Sequence, residues 1–145
     1  MKSDTAPQGV RREPVVTLPP DATVAHAAEV LSAQRIGAVV ISADGQRPLG
    51  ILSERDIVRE LGRRGAPVLE QPVSEVMTAK LMTCHTGDDA MDVLQRMTNG
   101  RFRHLPVVDD EGQMLGLVSI GDAVSGRLKE LAAENEALEG MIMGA

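Results

Sequence analysis

The sequence predicts a mixed α/β (α+β) fold: two copies of a β-α-β-β-α unit followed by a C-terminal helix. Three observations carry this. The chain matches itself when shifted by 66 residues. Each copy shows a helical apolar stripe, then two short apolar runs around a polar turn. The 145 residues suit one compact domain or two small repeats sharing a core.

The shift aligns Thr17 with Thr83, Arg35 with Arg101, Asp44 with Asp110, Gly50 with Gly116, Ser53 with Ser119, Asp56 with Asp122 and Val58 with Val124, without a gap. Each copy opens with a short extended piece, Val15–Leu18 or Leu81–Thr83. A helix follows, with apolar residues at Val24, Ala27, Ala28 and Leu31, or at Ala90, Val93, Leu94 and Met97. Spacings of three and four place each set on one helical face. The runs Ala38–Ile41 and Leu105–Val108 read as buried strands. Asp and Gly in Ala43–Gln46 and Asp109–Gly112 supply tight turns. Leu49–Leu52 and Met114–Val118 close the hairpins, and second helices open at Ser53 and Ser119. One unit is too small to bury both faces of its sheet, so the two are expected to pack together.

The repeats are assigned to residues 15–61 and 73–126. Residues 1–14 are polar and aperiodic and read as a flexible tail. Residues 62–72, with two Gly and two Pro, read as a linker. Residues 127–145 extend the last helix. There Leu128, Leu131, Asn135, Leu138 and Ile142 step by three and four, an a/d seam with one polar residue. Packing on its own domain and pairing with a second copy both stay open for this seam.

Composition narrows the function classes. Apolar residues make up 43% and charged residues 25%, which excludes wholesale disorder. With Phe102 as the sole aromatic residue, the core must be aliphatic. No apolar run is long enough to span a membrane. The N-terminus lacks the apolar segment of a signal peptide. Cys84 has no second cysteine to pair with. A cytoplasmic protein with no membrane partner is expected. A net charge of −6 disfavours nucleic acid as a partner. Twelve of the fifteen basic residues are Arg, which suits carboxylate or phosphate contacts.

GILSERD and GLVSIGD, each after a hairpin and opening a helix, resemble the signature of CBS domains: Gly, two apolar residues, Ser or Thr, two further residues, Asp. RFRHLPVVDDEG resembles the strand and turn before that signature, and VMTAKLMTC the entry to a second repeat. The likeness covers about residues 15–126, so the chain resembles a stand-alone CBS pair, or Bateman module. The resemblance implies repeats packed sheet to sheet with pseudo-twofold symmetry. It implies clefts for adenosine-containing ligands such as AMP, ADP, ATP, NAD or S-adenosylmethionine, and frequent homodimers. It implies a regulatory module for a protein partner that the sequence does not name, requiring no cofactor and catalysing nothing. The alternative is an interaction module with vestigial clefts.

Candidate site residues follow. A carboxylate at Asp122 or Asp56 can accept hydrogen bonds from both ribose hydroxyls. The helix starts at Ser119 and Ser53 favour a phosphate. Ser-x-x-Asp is equally a capping box, which competes for the Asp. By resemblance, Arg103 and His104 face nucleotide phosphates, and Thr17 and Thr83 lie near the adenine. The first repeat has Gly37 and Ala38 in place of the basic pair, so the Asp122 cleft is expected to bind phosphate better. Cys84, His85, Asp88, Asp89 and Asp92 look like a metal or nucleophile cluster. Adjacent strand residues diverge, however, and acids suit the first turn of a helix, so no metal or catalytic site is assigned. Arg59, Arg63 and Arg64 read as a solvated helix end.

Overall fold

The computed structural model describes residue 10 and residues 12–143, with side chains described as far as Leu138. The chain divides into two compact units. One runs from Val15 to Leu81 and takes in Glu111–Met114; the other holds Met82–Asp110, the chain from Leu115 onward and the described residues before Val15.

In the first unit, β1 (Thr17–Leu18) pairs in parallel with β2 (Ala38–Ile41), and β2 pairs antiparallel with β3 (Gly50–Ser53). All four residues of β2 are buried, which its β-branched composition suits. The helix α1 (Val24–Gln34) buries Val24, Ala27 and Leu31 as the stripe predicts. Thr23 caps it by accepting the His26 N–H at 3.1 Å. The second helix, α2 (Glu54–Arg64), buries Ile57.

The expected linker is a packed element. Helix α2 continues through Arg64, and a 3-10 turn, Ala66–Glu70, buries Val68 in the core beside Leu31 and Val73. Gly65 and Pro67 break the helix, but the apolar Val68 still goes inward.

The second unit holds α3 (Ala90–Gly100), the paired strands β4 (His104–Val108) and β5 (Met114–Ser119), and α4 (Ile120–Met143). Its core gathers Cys84, Val93, Met97, Leu105, Val107 and Val118. The expected entry strand contracts to one parallel bridge, Cys84 with Val107. Pro106 supplies the reason. At the equivalent place in the first unit, Val40 donates its N–H to the Val16 carbonyl at 3.0 Å. Proline has no N–H to give, so the ladder loses that rung. The repeat survives elsewhere in detail: α1 and α3 both end on an arginine in the left-handed region, Arg35 at φ 55° and Arg101 at φ 60°.

The end of the expected tail is structural. Val10 is fully buried in the second unit. Glu13 and Leu117 exchange backbone hydrogen bonds at 2.7 and 2.9 Å. The first unit has the counterpart, where Ile51 and Thr78 exchange bonds at 3.0 and 2.9 Å. Each repeat's lead-in therefore covers a strand of the other repeat. Glycine makes room for both. A Cβ on Gly116 would stand 3.1 Å from the Glu13 carbonyl oxygen, and one on Gly50 would stand 3.0 Å from that of Thr78. Residues 1–9 of the expected tail lie outside the described residues.

Helix α4 is anchored near its middle. Glu130 accepts the N–H of Ala90 at the start of α3, at 3.2 Å, and a hydrogen bond from Arg127, also at 3.2 Å. Leu128, Leu131, Asn135 and Leu138 of the seam are all exposed; the side chain of Ile142 lies outside those described. Among the described residues, no helix is long and apolar enough to cross a membrane.

Candidate functional site

The two signature blocks fold alike. β3 ends at Ser53 in extended conformation, and α2 starts at the next residue. Ser53 Oγ accepts the Asp56 N–H at 3.2 Å. Asp56 Oδ2 accepts the Ser53 N–H and its hydroxyl, each at 3.0 Å. In the second unit, Ser119 Oγ accepts the Asp122 N–H at 3.1 Å. Asp122 Oδ2 accepts the Ser119 N–H at 3.2 Å and the hydroxyl at 2.9 Å. Both are capping boxes, so the cap reading of Ser-x-x-Asp is realised twice. Each box uses one carboxylate oxygen and leaves the other to a different partner.

The second oxygen is where the repeats differ. Asp56 Oδ1 accepts a hydrogen bond from Arg59 Nη2 at 3.0 Å. The position equivalent to Arg59 in the second repeat is Ser125, which is exposed. Among the described residues, nothing reaches Asp122 Oδ1. No buried side-chain oxygen there lacks a partner, so this oxygen faces solvent. Exposure agrees: Asp56 is 8% exposed and counts as buried, whereas Asp122 is half-buried.

Arg59 lies outside the residues that the sequence marks as a site. Its signal was present as a basic residue one turn after the signature Asp in one repeat and a Ser in the other. Arg59, Arg63 and Arg64 are exposed, as a solvated helix end requires, and together they also form a clamp. Arg59, Arg63 and Arg64 converge on Glu60 at 3.3, 3.0 and 2.9 Å, and Glu60 is buried beneath them. Burial works to raise the Glu60 pKa; the Arg59 hydrogen bond and the Arg63 and Arg64 charges outweigh it, so the net shift is downward.

Backbone bonds bring the basic pair to the second box. The Arg103 carbonyl accepts the N–H of Ile120, the first residue of α4, at 2.8 Å. Gly37 does the same for Glu54 at 2.9 Å, which confirms the repeat register. Arg103 is exposed and, among the described residues, forms no ion pair; His104 is half-buried at the start of β4. Thr17 is half-buried in β1, in register with Val40. Thr83 is half-buried, and its carbonyl accepts a hydrogen bond from Arg96 at 3.3 Å. Among the described residues, no hydrogen bond joins either threonine to its box.

The Cys84 cluster is structural. The thiol is buried, and desolvation, with the Asp88 charge, pushes its pKa up to about 12. Asp88 caps the His85 N–H at 2.8 Å and pairs with Arg96. Among the described residues, no three His, Cys, Asp or Glu side chains are placed to hold a metal ion.

The family model for the CBS domain matches residues 9–63 and again residues 73–128. This chain belongs to the CBS-domain family. A CBS-domain protein of known structure from Agrobacterium tumefaciens is 42% identical over 81% of this chain and 91% of its own, with a TM-score of 0.73. A CBS-domain protein from Pyrobaculum aerophilum, solved in complex with AMP, is 29% identical over 81% of this chain and 89% of its own, with a TM-score of 0.72. A mitochondrial CBS domain-containing protein of Arabidopsis thaliana is 34% identical over 86% of this chain and 62% of its own length. An uncharacterised 17.7 kDa protein of Acidianus ambivalens is 33% identical over 74% of this chain and 64% of its own length. The chain thus spans less than two thirds of these two curated relatives. The start of the first CBS match at residue 9 agrees with the burial of Val10.

Proposed function

We propose that this protein is a cytoplasmic regulatory CBS pair, not an enzyme, that binds an adenosine-containing ligand such as AMP, ADP, ATP or NAD. It signals to a protein partner through the conformation of a homodimer. The observation that carries the reading is the free, solvent-facing Oδ1 of Asp122, beside the start of α4 and the Arg103–His104 strand end. A carboxylate oxygen accepts hydrogen bonds from ribose hydroxyls, the helix start favours phosphate, and Arg103, which forms no ion pair among the described residues, is a cation for the phosphate charge. Ser119, Asp122, Arg103, His104 and Thr83 make up this site; Ser53, Asp56 and Thr17 stand at the corresponding place in the first repeat. The AMP complex of the Pyrobaculum relative supports the ligand class. The exposed Leu128, Leu131 and Leu138 support pairing of α4 with a second copy.

Calorimetric titration of AMP, ATP, NAD and S-adenosylmethionine tests it. Saturable binding near micromolar, about −8 kcal/mol, is expected. Asp122→Ala should abolish it while losing about 1 kcal/mol of capping stability. Arg103→Ala should weaken ATP more than adenosine. Silence across the panel from ligand-free protein favours the second reading, an interaction module with vestigial sites, to which the two closed capping boxes point.

A further inference from the structure

We infer that Arg59 is a built-in occupant of the first repeat's candidate ribose site and keeps that site from binding until it is displaced. The inference rests on the ligand reading above and adds a residue to it. Asp56 has two oxygens, and both are engaged. Oδ2 holds the capping box, and Oδ1 holds the Arg59 guanidinium. A ribose needs one of them. The box is shared with the second repeat and belongs to the helix start. Arg59 has no counterpart there and is the replaceable partner.

Two further features suit Arg59 to this role. Its Nε is held by Glu60 at 3.3 Å, so the guanidinium is fixed between two carboxylates rather than swinging freely. Its side chain is 54% exposed, so the group that leaves Asp56 re-enters water at little cost. The latch is thus specific in position and weak in strength. The two repeats, alike in backbone, differ by Arg59 against Ser125 in whether the signature Asp can accept a ligand.

The test is calorimetric titration of AMP and adenosine into the full chain as wild type, Arg59→Ser and Arg59→Ser/Asp122→Ala. Arg59→Ser copies the second repeat and leaves both capping boxes intact. Wild type should bind at one site per chain. Arg59→Ser should add a second resolvable site, with a gain of about two- to fivefold in affinity there for both ligands. The double variant should keep that new site. Arg59→Ser with unchanged stoichiometry overturns the inference, as does a wild type that already fills two sites. Weaker AMP binding on Arg59→Ser also overturns it, because Arg59 would then hold phosphate. Failure of the second-repeat reading shows separately, as wild-type binding that Asp122→Ala leaves untouched.

Discussion

Val10→Ala tests how much of the N-terminal lead-in belongs to the fold. Val10 is fully buried among the aliphatic residues of the second unit, and its Cγ2 lies where a Cβ on Gly126 would fall, 2.7 Å away. Truncation removes two buried methyl groups, about 1.6 kcal/mol at ~0.8 kcal/mol per carbon. The site collapses only partly, because Glu13 stays pinned to Leu117, so a cavity cost adds to this. We expect about 2 kcal/mol in total. With a urea m-value of roughly 2 kcal/mol per M, the midpoint falls by about 1 M. The assay is urea unfolding followed by far-UV circular dichroism, since the chain has no Trp or Tyr. Val76→Ala, 6% exposed in the counterpart lead-in, should cost a similar amount. A Val10→Ala midpoint within about 0.2 M of wild type would refute the assignment of residue 10 to the core.

Three further outcomes are expected. Cys84, buried and pushed up to about 12, should resist a thiol reagent in the native protein near pH ~8 and react in urea; rapid native labelling contradicts its burial. For Asp88, burial raises the pKa, but the Arg96 hydrogen bond and the His85 N–H outweigh it and hold it below the usual carboxylate range. A depressed folded pKa gives stability that is present above the unfolded value of about 3.9 and is lost as pH falls through the folded one. The stability gap between wild type and Asp88→Asn, measured by urea midpoints, should therefore shrink between about pH 6 and about pH 3; a constant gap contradicts the ion pair. Pro106→Ala restores a donor opposite the Met82 carbonyl, so the new amide at residue 106 should be protected in hydrogen exchange, and fast exchange there refutes the account of the shortened strand.

The capping boxes explain why the candidate site is half legible in the sequence. Ser-x-x-Asp fits a cap and a ribose site equally, because both use a short polar side chain at a helix start. In the fold, the cap takes one carboxylate oxygen of each Asp and leaves the other to a different partner. Whether the second oxygen is left free depends on the residue one turn later, and Arg59 there looks like any solvated helix-end arginine until its position relative to Asp56 is known.

Local and periodic features are legible in the order of the residues alone. The 66-residue repeat, the helical stripes at Val24–Leu31 and Ala90–Met97, the hairpin turns and the signature blocks follow from spacing and turn chemistry, and all stand in the structure. The fate of the non-periodic segments rests on long-range packing. A single Val10 or Val68 between polar and helix-breaking neighbours carries no pattern, and its burial depends on strands and helices far away in the chain. The same holds for Pro106, whose missing N–H matters only once Met82 is its neighbour, and for the inequality of Asp56 and Asp122. Spacing along the chain fixes which face of an element is apolar; what that face meets is a long-range property.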